Sequence, residues 1–418
     1  MHEKAFAPQC AAVTEHAQPH ERRGQTLTLL ALAMGSFCLG TSEFAPMGVM
    51  PLFSAELHLS IPEATNAITA YALGVLVGAP LVTLSAARLN RKTLLLALMA
   101  LFVLGNLMSV IAKDLPMLML GRFVAGLPHG GYFGASAVVA SYIVGPGKSG
   151  KAFAMVMGGQ TVATIIGSPL ATLLGQGLGW HETFLAITGL GVLALLALWS
   201  WTPRTDALRG GPVMQELSAL RRLEVWVLMV VAAIGVSSIF AVYTFVGPIV
   251  TDVIHADPSM IAICLAVFGV GLTVGNVLGG RLADTHPTLG LVLGFGATLV
   301  ILAVLAIGGG ELWILMACLF GVGAAMATAV PTIQVRLTQA APEAPTLVGA
   351  MNLAALNVAN AVGAWAGGVT IGLGLGLLSS AWAGFACTLI GLLIFVVTLR
   401  IAPRPAALLA AAKPGERA

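Results

Sequence analysis

Residues 202–224 read "TPRTDALRGGPVMQELSALRRLE", and this polar stretch divides the chain into two halves of similar length. The rest of the chain is apolar, because 58% of all residues are hydrophobic and only 9% are charged. In soluble domains about a quarter of the residues are charged. The composition therefore predicts a membrane protein whose longest polar connection lies near its midpoint.

Six apolar runs precede this connection and six follow it. The runs lie near 27–53, 63–86, 93–112, 115–144, 150–177 and 183–202 in the first half, and near 225–250, 259–283, 288–308, 311–335, 346–373 and 379–400 in the second. A helix needs roughly 20 mostly apolar residues to cross a hydrocarbon core about 30 Å thick. We therefore predict an all-α membrane protein with twelve transmembrane helices, named spans 1 to 12. The predicted domains are a cytoplasmic tail (1–26), a six-helix bundle (27–202), a cytoplasmic linker (203–224), a second six-helix bundle (225–400) and a cytoplasmic tail (401–418).

The positive charges between the spans fall almost entirely on one side of the membrane. If the amino terminus is cytoplasmic, only Lys113 falls outside, and Arg122 lies within a span. Cytoplasmic loops of membrane proteins are enriched in Lys and Arg. We therefore place both termini in the cytoplasm, and we attribute the net charge of +3 to this bias and not to a nucleic-acid partner.

The second half repeats features of the first half at a constant offset of 197 residues. The matching pairs are Gly74 with Gly271, Gly78 with Gly275, Pro51 with Pro248, and His58 with His255. Parallel repeats joined by a cytoplasmic linker are a transporter architecture, in which the substrate path lies between the halves near the membrane midplane. The repeat predicts two bundles related by pseudo-two-fold symmetry.

One acidic residue interrupts predicted span 1, where residues 41–48 read "TSEFAPMG". A charge such as that of Glu43 costs on the order of 3 kcal/mol near the middle of a membrane helix, so such residues usually face a protein interior or a wet cavity. Arg122 enters span 4 from the outside to a similar depth. Glu43 could gain and lose a proton beside the Arg122 charge, or the two could form a permanent ion pair, or each could bind other groups. Phe240 is the repeat counterpart of Glu43, which confines the ionisable site to the first half.

Further polar residues lie within apolar spans. His129 could relay protons, since histidine titrates near neutral pH, or it could be a packed side chain. Pro128, directly before it, predicts a bend in span 4. In span 11, Asn357 and Asn360 share one helix face, where amides could bind a substrate or join neighbouring helices. The same argument extends to Asn352, Gln160, Tyr243 and Trp365.

Three motifs carry a family resemblance. After span 2, "TLSAARLNRKTLLL" keeps the basic residues of a loop motif, and "GGRLADTH" is its copy in the second half. In span 4, "LGRFVAGLPHGGYFGAS" has an arginine followed by glycines at four-residue steps, and in span 5 "GGQTVATIIGSPLAT" has a glycine and proline pattern. With these motifs the chain resembles the major facilitator superfamily (MFS), and in particular the drug:proton antiporter branch with its bacterial arabinose-efflux-permease-like and chloramphenicol-resistance-like exporters.

The resemblance implies an MFS fold and assigns conformational roles to the motif residues. These residues are Arg88, Arg91, Lys92, Asp284, Gly126, Gly130, Gly167 and Pro169. In the family, an aspartate of the loop motif is thought to lock helix ends across the two halves. Ala87 stands at that position here, and only the second-half copy keeps its aspartate, Asp284. The lock of the first half is therefore expected to be absent.

The leading hypothesis is a transporter in the inner (plasma) membrane of a bacterium that exports a small drug or sugar-like solute in exchange for protons. Proton-coupled uptake and a non-transporting membrane sensor are the alternatives. The expected partners are the solute, protons and membrane lipids, with one chain sufficient for the transport path. We expect no enzyme activity, cofactor or metal site, because the five cysteines have no close spacing and no phosphate-binding "GxxxxGK" loop followed by Ser or Thr occurs.

Overall fold

The computed structural model describes residues 19–85, 89–145, 149–205, 208, 221–342 and 344–401, which form the twelve predicted helical spans. The first half contains span 1 (Pro19–Gly48 and Met50–Glu56), span 2 (Ile61–Ser85), span 3 (Arg91–Val110), span 4 (Leu115–Gly126 and His129–Val144), span 5 (Ser149–Val162, the π-helical turn Ala163–Gly167 and Ser168–Leu178) and span 6 (Trp180–Trp201). The second half contains span 7 (Leu223–Gly235, Ser238–Tyr243, Val246–Pro248 and the π-helical turn Ile249–Val253), span 8 (Ser259–Thr285), span 9 (Pro287–Gly308), span 10 (Leu312–Ala340), span 11 (Pro345–Gly372) and span 12 (Ser379–Ile401).

Ten of these spans are long enough and apolar enough to cross a membrane. Span 4 is divided into helices of 12 and 16 residues, and span 2 is a single helix of 25 residues. The first helix begins at Pro19, before the predicted start of span 1 at residue 27, so the helix continues beyond the apolar run. Most of the predicted linker and both predicted tails lie outside the described residues.

Prolines break the helices that surround the centre of the molecule. Pro128 has no N–H to donate to the carbonyl of Val124, and span 4 is interrupted at this point, as the sequence predicted. The π-helical turn in span 5 ends two residues before Pro169, which cannot donate to the carbonyl of Ile165. Span 1 is interrupted at Val49, just before Pro51. These breaks leave the spans locally irregular where a central site would lie.

The backbone confirms the internal repeat. Among the described residues other than glycine, His58 and His255 alone have positive φ, with values of 54° and 55°. These two residues are 197 positions apart, each in the turn that follows the first span of its half. An unfavourable conformation at equivalent positions shows that the two turns have the same geometry.

The glycine pairs repeat the same packing contact in each half. A Cβ on Gly74 would overlap the carbonyl of Phe123, and a Cβ on Gly271 would overlap the carbonyl of Phe320. Phe123 and Phe320 are themselves 197 residues apart. Span 2 therefore packs on span 4 as closely as span 8 packs on span 10, which confirms the pseudo-two-fold relation of the bundles.

The two halves meet where span 2 packs against span 11 and span 5 packs against span 8. Several of these contacts lie toward the predicted outer surface: a Cβ on Gly368 would lie 3.3 Å from Oγ1 of Thr65, and Gln176 Nε2 donates to the Pro258 carbonyl at 2.7 Å. At the predicted inner surface, Lys92 Nζ donates instead to the Trp199 carbonyl of its own half at 2.7 Å. These contacts describe a molecule that is closed toward the outside.

Candidate functional site

Glu43 lies at the centre of the interface between the halves. Its side chain is only 6% exposed. Gln160 Nε2 of span 5 donates to Oε2 at 3.4 Å, and Asn360 Nδ2 of span 11 donates to Oε1 at 3.4 Å. Both distances exceed the usual range for N–H···O bonds of about 2.7–3.2 Å, so the carboxylate is loosely held. One of its two amide partners belongs to the opposite half of the molecule.

Arg122 does not form an ion pair with Glu43. In the described part of the chain, the contacts within 4.0 Å between a carboxylate and a basic nitrogen join Glu43 to His129 and Glu56 to His181, and each is an ion pair only when its histidine is protonated. The buried guanidinium of Arg122 donates instead to the Ser42 carbonyl at 2.6 Å and to Ser42 Oγ at 3.0 Å. Of the three arrangements that the sequence left open, the structure shows separate partners for the two charged side chains.

The Arg122 charge lies among aromatic rings and is anchored through Ser42. Its guanidinium carbon is 4.5 Å from the ring centroid of Tyr71 and 5.4 Å from that of Phe184. Ser42 Oγ in turn donates to Asn106 Oδ1 at 2.9 Å. Cation–π contacts in a desolvated site contribute about 2 kcal/mol and partly offset the cost of burying the charge. Arg122 thus fixes the backbone of span 1 at the residue that precedes Glu43.

His129 connects Glu43 to a tyrosine that sequence analysis missed. His129 Nε2 is 3.9 Å from Glu43 Oε2, and His129 Nδ1 is 2.9 Å from the hydroxyl of Tyr71. In the neutral tautomer that accepts the Tyr71 proton at Nδ1, Nε2 carries the proton and faces the carboxylate. Tyr71 is one of only four tyrosines in the sequence and lies in the middle of an apolar span, and this was the available signal.

The asparagines of span 11 divide into two groups. Asn352 Nδ2 donates to Gln334 Oε1 of span 10 at 2.7 Å and so joins two helices. Asn357 and Asn360 are 3% and 1% exposed and lie on the side of the helix that approaches Glu43. Trp365 is 64% exposed and does not belong to this buried cluster.

An aromatic wall borders the cluster at the interface of the halves. Phe44 of span 1 stacks on Phe240 at a centroid distance of 6.4 Å and meets the edge of Tyr243 at 5.4 Å. Tyr243 also contacts Phe268 at 4.6 Å, and its hydroxyl is 3.4 Å from Ser168 Oγ of span 5. The sequence selected Tyr243 but missed the phenylalanines, because such residues are common in any membrane span.

Four polar side chains that the first half contributes to the cluster have apolar counterparts in the second half. These side chains and their counterparts at the offset of 197 are Glu43 and Phe240, Tyr71 and Phe268, Arg122 and Leu319, and His129 and Met326. Each of these four side chains of the first half is thus matched by an apolar side chain in the second half. Two bundles with the same backbone therefore contribute different chemistry to the central site.

The motif residues occupy several separate places. A Cβ on Gly126 would overlap the Tyr71 carbonyl, and one on Gly130 would lie 3.0 Å from Ala79 Cβ. Gly134 is the third glycine of this series, and a Cβ there would have no neighbouring atom within 4 Å. The predicted close approach of the spans therefore ends at Gly130. A Cβ on Gly167 would overlap the Thr41 hydroxyl of span 1.

The charged residues of the loop motif lie at the ends of the spans. Arg91 is partly buried, Asp284 is exposed, and the Lys92 backbone N–H is capped by Asn90 Oδ1 at 3.0 Å. Arg88 lies outside the described residues. Within the described ranges, no group of three or more His, Cys, Asp or Glu side chains could hold a metal ion.

Comparisons with known proteins agree with this geometry. A family model of the Major Facilitator Superfamily matches residues 32–364. The inner membrane transport protein YdhP of Escherichia coli (strain K12) is 40% identical over 369 residues, which cover 87% of this chain and 94% of YdhP. A chloramphenicol resistance protein of Streptomyces lividans is 32% identical over 88% of this chain and 95% of its own length. The solved structure of a bacterial homologue of the human lysosomal transporter Spinster, inward-facing and occupied, has the same fold, with a TM-score of 0.70 at 15% identity over 90% of this chain and 97% of that chain.

Proposed function

Because the chain belongs to the Major Facilitator Superfamily of membrane transporters, we propose that it exports a small organic solute in exchange for protons. The protein is a multi-pass protein of a bacterial inner membrane. The observation that carries the proposal is the buried Glu43 carboxylate, which accepts a hydrogen bond from each half of the molecule. A group in this position can respond both to protons and to the separation of the halves.

Glu43 is the proton carrier in this proposal. A buried carboxylate without a cationic partner is costly, and protonation removes its charge. The long bonds to Gln160 and Asn360 leave the carboxylate free to exchange these amides for a proton or for a solute. His129 and Tyr71 form the relay that brings the proton, and Arg122 positions the carboxylate through Ser42.

Asn360 connects the charge of Glu43 to the arrangement of the halves. The Asn360–Glu43 bond joins span 11 to span 1, so rocking of one bundle against the other must stretch or break it. A protonated Glu43 accepts this bond less strongly than a carboxylate does. Protonation therefore weakens one contact of the outward-closed state, and the populations shift as far as this difference in free energy allows.

The substrate lies between the amides and the aromatic wall. Asn357, Asn360 and Gln160 supply polar contacts, and Tyr243 with Phe44 supplies an apolar surface. This combination suits a drug or sugar-like solute, and the relative from Streptomyces lividans is named for chloramphenicol resistance. A single chain contains both halves of the site, so the monomer is the proposed transport unit.

The motif residues serve the conformational change in this proposal. Gly126, Gly130 and Gly167 with Pro169 keep the spans of the first half packed while it moves as a unit. The charged residues act at the cytoplasmic ends of the spans, where the halves would meet when the inner side closes. They are Arg88, Arg91, Lys92 and Asp284.

Proton release from purified protein in weakly buffered detergent tests the proposal. We expect the wild type to release protons when chloramphenicol or a member of a panel of pentoses and hexoses binds, and Glu43→Gln to bind without release. Glu56→Gln is the matched control, because Glu56 lies in the same span and its side chain is 57% exposed at the outer end. Equal proton release from wild type and Glu43→Gln would show that Glu43 is not the coupling site.

A further inference from the structure

Two amide oxygens at the centre of the candidate site have no hydrogen-bond partner. They are Oδ1 of Asn357 and Oδ1 of Asn360, both in side chains that are almost completely buried. Their orientation follows from chemistry. Nδ2 of Asn357 donates to the Leu353 carbonyl at 2.9 Å, and Nδ2 of Asn360 donates to the Glu43 carboxylate. Carbonyl and carboxylate oxygens can only accept, so each amide must present its nitrogen to them and leave its oxygen unpaired.

A buried amide oxygen without a hydrogen-bond partner destabilises the folded protein. Natural structures pair the great majority of buried polar side-chain atoms, and each exception calls for an explanation such as an absent ligand. The other unpaired atoms in the described residues are hydroxyl oxygens, which can rotate to donate, three arginine Nε atoms, and Oδ1 of Asn352, whose nitrogen is bonded to Gln334 away from Glu43. An amide oxygen can only accept, and each of these amides is held in its orientation by the hydrogen bond of its nitrogen.

The unpaired oxygens share one face of span 11 with the contact to Glu43. Residues three apart on a helix are neighbours on its surface. Span 11 runs from the predicted cytoplasmic side outward, so Asn357 lies one turn closer to the cytoplasm than Asn360 and Glu43 do. A solute that enters an outward-closed molecule from the cytoplasm meets Asn357 first and the carboxylate second.

We infer that the oxygens of Asn357, Asn360 and Glu43 form an acceptor site for a solute that carries at least two N–H or O–H groups beside an apolar or aromatic portion. The donors of the solute pair the two amide oxygens, and its apolar portion packs on the wall formed by Phe44, Phe240 and Tyr243. This inference rests on the proposed function and names the substrate class of the same site. Asn357 is the residue that selects for the donors.

A site built to pair a donor discriminates strongly against an analogue that lacks it, because its own polar groups then stay unpaired. Chloramphenicol carries two hydroxyl groups and an amide N–H beside an aromatic ring, and its 1,3-diacetyl derivative lacks both hydroxyl groups. Tetraphenylphosphonium is aromatic and cationic but has no donor at all. We expect the wild type to bind chloramphenicol at least about tenfold more tightly than either of the other two probes, the ratio that 1.4 kcal/mol produces.

Asn357→Leu removes the acceptor and keeps a similar volume. In the protein without ligand, we expect this variant to have a higher melting temperature than the wild type, since an unpaired buried oxygen is lost. Its preference for chloramphenicol over the diacetyl derivative should fall about tenfold. Asn352→Leu is the matched control for the probe preference in the same span: it also removes an unpaired amide oxygen, but that amide is bonded to Gln334 and not to the candidate site, so the preference should be unchanged.

The two measurements decide the inference together. A melting temperature of Asn357→Leu below that of the wild type, or failure of Asn357→Leu to fold, would show that the oxygen is already satisfied. A preference for tetraphenylphosphonium, or an unchanged preference in Asn357→Leu, would overturn the acceptor site. If none of the three probes binds, the melting temperature of Asn357→Leu relative to the wild type decides whether the Asn357 oxygen is unpaired. Proton release that still requires Glu43 while Asn357→Leu behaves as wild type would overturn this inference alone and leave the proposed exchange intact.

Discussion

At the scale of single residues, the molecule uses its two buried charges differently. The guanidinium of Arg122 donates to both oxygens of Ser42 and contacts two aromatic rings. These contacts hold its positive charge in place. The negative charge of Glu43 is met by two long bonds from neutral amides. A permanent Glu43–Arg122 pair would have fixed the carboxylate in its charged form. Its absence among the described contacts leaves Glu43 available for the proposed exchange.

Arg122 and Ser42 offer a graded test of this anchoring. Arg122→Lys keeps the charge but loses the planar guanidinium, whose two N–H groups donate to both Ser42 oxygens. Because these bonds are weakened, we expect the free energy of unfolding to fall by about 1.5–3 kcal/mol. Ser42→Ala removes only the hydroxyl contact and should cost about 1 kcal/mol. Chemical denaturation in detergent measures both values. A larger loss in Ser42→Ala than in Arg122→Lys would contradict the anchoring role.

At the scale of helices, close packing depends on particular glycines and not on the glycine spacing as such. Gly126 and Gly323 are 197 residues apart, and each leaves no room for a Cβ against the span that packs on it. The obstructing atoms are the carbonyls of Tyr71 and Phe268, themselves a repeat pair. Gly134 continues the four-residue series of span 4 but faces open space. The close approach thus continues past the break at Pro128 to Gly130 and ends before Gly134.

Alanine substitutions at two glycines of span 4 should therefore have opposite effects. Gly126→Ala forces a methyl group against the Tyr71 carbonyl, and we expect it to destabilise the protein by about 1–3 kcal/mol. Gly134→Ala adds a methyl group in open space and should stabilise the helix by about 0.5–1 kcal/mol. Melting temperatures of the two purified variants compare them directly. Equal destabilisation by both would mean that general helix distortion, and not the contact with Tyr71, sets the cost.

At the scale of the whole molecule, the two bundles form a central site that is closed toward the outside. Spans 2 and 11 meet near Thr65 and Gly368, and spans 5 and 8 meet near Gln176 and Pro258. Transport by rocking of the bundles requires these outer contacts to open in each cycle.

A disulfide across the outer contact should stop transport. Thr65→Cys with Gly368→Cys tests this contact, because a Cβ on Gly368 would lie 3.3 Å from Thr65 Oγ1, the position that a cysteine sulfur would take. In a background with all native cysteines replaced, we expect oxidation to abolish solute transport in proteoliposomes and reduction to restore it. Each single-cysteine variant serves as the control. Full transport by the oxidised double variant would exclude an obligatory opening between spans 2 and 11.

Much of this architecture was accessible from the sequence because the bilayer constrains structure locally. Hydropathy predicts spans since each backbone group in the hydrocarbon core must be paired within its own helix. The offset of 197 residues predicted the repeat, which the His58 and His255 turns confirm. Pro128 predicted the break in span 4 because proline lacks an N–H. Glu43 was identified as exceptional by the cost of its charge alone.

The sequence by itself therefore determined the number of spans, the two halves and the presence of an ionisable group in the first of them. Only the tertiary structure decided which groups meet: Asn360 reaches Glu43 across 317 residues, and Arg122 binds Ser42 and not Glu43. Hydropathy and spacing are properties of one helix at a time. The partner of a side chain depends on the rotation of its helix and on the breaks at Pro128 and Val49, and these are settled only when the twelve spans pack together.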